Sequence, residues 1–516
     1  MPADKVIVTN ISALKSKYGA SYPRVQAALD RLVAADGKRG LSTRVIALDS
    51  AGDMRVAGGT VVAKVSDQRQ TKAAIDAVCA ALQPEYLMIL GAPDIVTMQE
   101  LANPMRGDGD ESVPSDLPYA CAAPYNTSPR AFLGPTRVVG RLPDLMGKAD
   151  ARYLVRLLSV AARYRARPRA DYGGYFGVSA EIWKASTGLS LSKLFGSSLA
   201  METAPPKGPK WADSQLERRL HFINCHGGSS DPNFYGQPAK REAFPTAHSA
   251  KLLKSKISDG TVIAAECCYG AQLYDPTDSE GQAGICSTYL YDGAYGFFGS
   301  TTVAYGPSEG NGQADLICQY FVEAVLGGAS TGRAALEARQ RFAAAYTHLD
   351  PSDLKTMAQF YLLGDPSVHP VSAVAHALAR TKVFSKAFKG AKSSPGTRAL
   401  RRERLVRTGA NLQQTLGAVQ AARRKEPAVV KQVLAAAARE SGLRELTRES
   451  FSVEFPRSAA AGELKRFERA RNRRSVHMVI GEPRKGQGQG KFRAMTVLIA
   501  TAQNGELVHL RRIHRR

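Results

Sequence analysis

The chain has 516 residues, 44% of them hydrophobic, and carries 70 lysines and arginines against 46 aspartates and glutamates, a formal charge of +24. That length exceeds what a single hydrophobic core serves, so two or three domains are expected, and seven cysteines with none after Cys318 fit a reducing compartment better than a disulfide framework. No stretch reaches the roughly 18 uninterrupted apolar residues of a membrane helix, and the opening MPADKVIVTN lacks the basic and apolar regions of a signal peptide, so a cytoplasmic protein is expected.

In the first third, strand-like apolar runs alternate with amphipathic helical patterns. Strands are predicted at 6–10, 43–49, 86–91 and 136–143, and helices near 23–35, 72–82 and 149–164. A second series follows, with strands at 175–181, 220–224 and 261–266, the apolar run GFFGSTTVAYG at 296–306, and helices near 247–257, 313–326 and 331–346. Alternation of this kind predicts parallel sheets covered by helices. Within the second series, residues 197–214 are rich in Pro, Ser and small residues and read as a long surface loop.

Charge is distributed unevenly. Residues 381–516 hold 31 lysines and arginines, 10 glutamates and no aspartate, a balance of +21, whereas everything before them balances at +3. The expected organisation is an N-terminal α/β subdomain over 1–168, a second α/β subdomain over 169–380, a basic linker over 381–410 and a small basic α+β module over 411–516. In that module the patterns predict helices at 412–424 and 428–439, and Asn504-Gly505 predicts a hairpin turn between two strands. The clusters Arg401-Arg402-Glu403-Arg404, Arg471 to Arg474 and Arg511 to Arg516 could neutralise a nucleic acid, an acidic membrane or an acidic partner. Few aromatic residues are interleaved for base stacking, and a solvated face is the plainer reading.

Two of the apolar runs end in reactive residues. LHFIN leads into Cys225-His226-Gly227-Gly228, and VIAAE into Cys267-Cys268-Tyr269-Gly270. Neighbouring parallel strands would bring such residues together at their carboxyl ends, where a thiol beside an imidazole is a candidate nucleophile and base. The thiolate is the reactive form, a nearby imidazolium favours it, and the histidine can then protonate a leaving amine. Glycines beside both residues leave backbone N–H groups free to meet an oxyanion, with Gly227 and the amide of Cys268 as candidates. Cys225, Cys267 and Cys268 could alternatively be buried core thiols. A zinc site from Cys225, His226, Cys267 and Cys268 would lack the usual C-x₂₋₄-C spacing, so no metal or other cofactor is expected. His221, His248, His348 and His369 read as ordinary core or surface residues.

A strand followed by His-Gly, then a second strand followed by small-residue-Cys, resembles the caspase/gingipain clan of cysteine peptidases. GAPDIV at 91–96, SDLPYA at 115–120, VVGRLP at 138–143, SAE at 179–181 and LLGDPS at 362–367 resemble framework motifs of the gingipain family in the same order, so the likeness spans roughly residues 1–370. The resemblance implies a caspase/gingipain-like parallel-sheet sandwich of two adjacent α/β subdomains. It also implies a cysteine endopeptidase acting on protein or peptide substrates, with His226 and Cys268 as its dyad and Glu181 as the carboxylate that orients the imidazole. Cys267 remains the alternative nucleophile, because the family's Cys-x-x-Gly spacing is also met by Cys267 with Gly270. The aspartate that lines the pocket of arginine-cutting gingipains has no counterpart between Glu181 and Glu202, which leaves Asp231 or Asp116 as candidate substrate-binding charges. The competing reading is a non-catalytic adaptor that binds through its basic C-terminal residues.

Overall fold

Ten short strands form one central sheet in a computed structural model that describes residues 3–240, 243–346, 348–372, 395–417, 420–423, 425–454, 474–483 and 495–516. In chain order its strands are β1 (Lys5–Thr9), β2 (Thr43–Ala47), β3 (Tyr86–Leu90), β4 (Val138–Leu142), β5 (Phe176–Ala180), β6 (Met201–Ala204), β7 (Leu220–Asn224), β8 (Val262–Ala265), β9 (Gly296–Ser300) and β10 (Phe360–Leu363). Most are buried along their whole length, as strands covered on both faces must be. Their order across the sheet is β2-β1-β3-β4-β10-β9-β8-β7-β5-β6.

All pairs are parallel except β9 with β10, where Phe297 to Ser300 run antiparallel to Phe360 to Leu363. The sheet therefore consists of two five-stranded halves pointing in opposite directions. The expected pair of α/β subdomains is realised as one continuous sheet, and β10, late in the second series, pairs in parallel with β4 of the first. Two further departures concern strands. The expected loop at 197–214 contains β6, an edge strand with too few apolar residues to signal itself. The expected helix at 247–257 is instead a strand at Thr246–Ser249 and a single helical turn at Ala250–Leu253, because Asn233 to Tyr235 offer that strand an antiparallel partner.

The longer helices of the body are α1 (Tyr22–Lys38), α2 (Gln68–Leu82), α3 (Ala151–Arg163), α4 (Lys184–Phe195), α5 (Gln313–Leu326), α6 (Thr331–Ala344) and α7 (Pro351–Gln359). Helix α1 shows why they pack: Val25, Ala28, Leu29, Leu32 and Asp36 recur at three- and four-residue spacing and are its buried face. Helix α2 starts where the Asp67 side chain accepts the Gln70 amide, and helix α3 where Asp150 caps Arg152 and Tyr153. Among the described residues no helix is long and apolar enough to cross a membrane.

The framework motifs meet in space. Arg141 of β4 donates to both oxygens of Asp116 at 2.8 and 2.6 Å and to the carbonyls of Gly91 and Val96 at 2.9 and 2.7 Å. Lys5 pairs with Asp36 at 3.0 Å and with Asp365, whose other oxygen caps Ser367. Each ion is buried, and each is matched by a partner of opposite sign.

Of the expected basic linker, residues 381–394 lie outside the described residues, and the remainder is helical. Helix α8 (Pro395–Gly417) packs on the body, where Gln413 accepts the amides of Leu133 and Gly134 and Arg401 pairs with Glu85 at 3.5 Å. Where a helix was expected at 412–424, α8 ends and a strand follows. The C-terminal strands are β11 (Gln420–Arg423), β12 (Leu443–Glu454), β13 (Arg474–Pro483), β14 (Thr496–Gln503) and β15 (Glu506–Arg515), with helix α9 (Ala428–Glu440) as expected. Asn504 and Gly505, at φ 55° and 91°, make the expected turn between β14 and β15. The sheet runs β15-β14-β13-β12-β11, and its free edge at β15 takes one more strand, Tyr305–Gly306 of the body. Val476, Met478, Val497 and Ile513 share a core with Ile317 and Phe321 of α5, so the C-terminal module is seated on the body.

Candidate active site

Strands β7 and β8 are neighbours in unbroken register. Leu220 lies opposite Val262 and Ile223 opposite Ala265, and the Glu266 amide donates to Ile223 O at 2.8 Å. His226 and Cys268 stand as far apart in the chain as each of those pairs does, so the two segments leave the sheet edge in step. Their turns touch: a β-carbon on Gly227 would stand 1.9 Å from the Cys268 carbonyl oxygen, which explains a glycine at that point.

The turn after β8 is tight. The Gly270 amide closes it onto Cys267 O at 3.1 Å, and Tyr269 takes a left-handed φ of 52°, a strained conformation for a bulky side chain. Tyr269 is held there by its amide on Thr302 O at 2.9 Å and by its hydroxyl on Asp110 at 2.6 Å. Asp110 in turn accepts from Lys355 and from the Val303 amide. The turn divides the two adjacent cysteines between the faces of the sheet. Cys267 joins the core around Cys225 and Tyr289, whereas the Cys268 sulfur accepts the Ala304 amide at 3.2 Å on the other face. Among the described residues the Cys268 amide has no acceptor. Burial pushes the Cys268 thiol up, a rise that the Arg515 guanidinium offsets only in part.

His226 begins a two-residue strand that pairs with Phe234 and Tyr235. Its Nε2 lies 2.7 Å from Gln237 Oε1, and because an amide oxygen only accepts, Nε2 carries the proton and Nδ1 is the basic nitrogen. The ring is packed between Trp183, with centroids 4.4 Å apart, and Phe244 at 4.9 Å. Burial first, then the positive charges of Arg515 and Arg516, bring its pKa down to about 3. Both members of the pair feel the charge of Arg515 on β15, and both are buried: Cys268 is 0% and His226 5% exposed.

Glu181 accepts the Ala239 amide at 3.2 Å, just beyond Gln237 in the chain. Gln237 O accepts the Ile182 amide at 3.2 Å, so the Glu181 turn and the segment that holds His226 are stitched together. Asp231 accepts from Asn233 and from the Tyr235 hydroxyl at 3.0 Å, and Asp116 is committed to Arg141, so both expected substrate-binding charges serve local structure. His221 and His248 are core residues that share the Tyr289 hydroxyl, at 2.7 and 3.0 Å.

Sequence reasoning passes over Gln237 and Trp183 and gives the C-terminal arginines no place near the His226 segment. Gln237 and Trp183 sit in turns with no pattern to mark them. The cluster Arg511 to Arg516, expected as a basic surface that binds an acidic partner or faces solvent, turns partly inward: Arg511 pairs with Asp350 and with Asp353 at 3.3 Å, and Arg516 is buried. Arg401 and Arg402 also bond to the body, and residues 471–473 lie outside the described residues.

No family model matches the sequence, and no curated protein matches it. A solved chain described as "Structure of Protease" follows 100% of this chain and 97% of its own length at 12% identity, with a TM-score of 0.46. A likeness of that degree carries no argument about chemistry.

Proposed function

We propose that this chain is a cysteine endopeptidase in which Cys268 is the nucleophile and His226 the general acid and base. The observation that carries the reading is the shared register of β7 and β8, neighbouring parallel strands whose carboxyl ends lead into the segments of His226 and Cys268, each in a turn containing glycine. In this reading His226 Nδ1 takes the Cys268 proton and the thiolate attacks the peptide carbonyl. The oxyanion meets the unpaired Cys268 amide and the backbone at Gly227. His226 then protonates the leaving amine, and the resulting thioester is hydrolysed by water that His226 deprotonates. Cys268 is preferred to Cys267 because its sulfur lies on the face reached by Arg515, while Cys267 is sunk in the opposite core. Gln237 orients the imidazole, and Glu181 acts through it by fixing the Ala239 amide.

Since both side chains are buried, the test is made on the full chain and on Arg516→Ala, which removes the ion pair between Arg516 of β15 and Asp315. Hydrolysis of a fluorogenic peptide library and labelling by a peptidyl acyloxymethyl ketone are expected, both lost in Cys268→Ala and both retained in Cys267→Ala. Labelling and hydrolysis that survive Cys268→Ala but vanish in Cys267→Ala would move the nucleophile by one residue. An inert chain with no ketone adduct at either cysteine would end the reading.

A further inference from the structure

A cavity of about 300 Å³ lies between the body and helix α8 and shares no lining residue with the candidate active site. Its volume falls at the low end of the roughly 300–1,000 Å³ that small-molecule sites occupy. Tyr86 and Val138, the first residues of β3 and β4, line it from the sheet, Cys79 and Ala80 from α2, and Leu405 and Val406 from α8. Leu405 packs against the buried Tyr86 and Val138, so α8 is seated on the sheet here. Val406 is 44% exposed, an apolar side chain at the cavity that the fold leaves partly wet.

Four guanidinium groups also line this apolar space: those of Arg137, Arg333, Arg401 and Arg402. Arg333 pairs with Glu337 at 3.2 Å and Arg401 with Glu85 at 3.5 Å, and Arg137 pairs at 2.5 Å with Asp76, an aspartate that Lys72 also uses. Arg402 is different. It donates to the main-chain and side-chain oxygens of Gln83 at 2.9 and 3.2 Å, and among the described residues it meets no carboxylate. The crowding of positive charge is felt by its neighbours. Burial and then Arg333 lower the pKa of Arg401, and burial followed by the same two arginines brings His369, 3.5 Å from the Tyr86 hydroxyl, down to about 4.

We infer that this cavity binds an apolar molecule ending in one carboxylate, of the size of a medium-chain fatty acid, with its chain between α2 and α8 and its head on Arg402. The inference stands apart from the peptidase reading. A planar carboxylate accepts two parallel bonds from a guanidinium, and one such head supplies the one charge that Arg402 lacks. A cation would be repelled by the four arginines, and a neutral guest would leave Arg402 as it is. A phosphate monoester, with close to two charges at neutral pH, brings more than one guanidinium without a carboxylate calls for. Because α8 supplies one wall, a bound molecule also favours the seated α8 over any state in which that wall is absent.

The test is calorimetry of the full chain with octanoate, octanol and octyl phosphate. Octanoate is expected to bind saturably at one site and about tenfold or more tighter than octanol, a difference that Arg402→Met erases. Ala80→Trp, at an exposed position of α2, fills the cavity and should abolish binding of octanoate and octanol alike. Val406→Asp sets a like charge against the head and should weaken octanoate about tenfold, which keeps the test open where Ala80→Trp does not fold. Hydrogen exchange of the α8 amides should slow when octanoate is bound. No saturable binding, or binding that survives Ala80→Trp in a folded chain, would overturn the site. Octanol as tight as octanoate would overturn the carboxylate, and so would octyl phosphate binding tighter than either. Unchanged exchange in α8 would overturn its place as a wall.

Discussion

The two halves of the central sheet are built alike and differ in what they do with buried polar groups. In the first half the ions meet their opposites: Arg141 meets Asp116, Lys5 meets Asp36 and Asp365, and Lys17 meets Asp94 and Asp144 at 2.7 Å. In the second half the carboxyl edge collects groups that the fold leaves short. Among the described residues Glu266 receives no hydrogen bond and the buried Trp183 indole nitrogen has no acceptor, while Tyr269 is strained and His226 is held neutral beside two arginines. Buried polar atoms without a partner among the described residues occur in both halves, Asn10 Oδ1 and Gln99 Oε1 being two in the first, but in the second they gather with a strained backbone and a perturbed histidine at one edge of the sheet, as reactive sites do.

Acid should separate the halves most sharply. All nine histidines lie at or after position 221, so the first half's strands β1 to β4 have none. His221, His226 and His248 have pKa values lowered to about 4, 3 and 3, chiefly by burial. A folded-state value below the unfolded one means that the stabilisation is complete above about pH 6.5 and drains away as the pH falls toward those lowered values. At pH 5 each should cost about 2 kcal/mol, and hydrogen exchange should show β7 and β8 opening before β1 and β3. Equal protection of both halves at that pH would break the comparison. Next in size, Asp116→Ala strands a buried Arg141 and should cost about 3–5 kcal/mol in urea unfolding, while ketone labelling of the molecules that remain folded is unchanged. Gln237→Ala should do the reverse, with kcat lowered about 10- to 100-fold, a shifted acid limb of the pH profile and stability within about 1 kcal/mol. The smallest effect is expected at the β14–β15 turn, where Gly505→Ala at φ 91° should cost about 1 kcal/mol, measured as a lowered urea midpoint.

Strands that are buried on both faces were plain in the sequence, since β7 begins and ends where its apolar run does and β1, β3, β4 and β8 nearly match theirs. The same runs pointed His226 and Cys268 toward one edge, and β7 and β8 are neighbouring parallel strands over the residues that pair. What the sequence hid depends on partners far along the chain. The β6 run is too polar to mark an edge strand, and the hairpin partner of Thr246–Ser249 lies well before it, so that segment read as helix. Arg516 gave no signal at all, because a basic run looks the same whether it faces water or a carboxylate far back in the chain.

The reversal of direction between β9 and β10 also shapes the field of the molecule. In a sheet whose strands all point one way, the crossover helices align and their positive ends gather along a single rim. Here the helices of one half oppose those of the other, so their positive ends do not gather along a single rim. The charges that act most on Cys268, Arg515, Asp110 and Lys355, lie close to it in a dry interior, where added salt should screen them little.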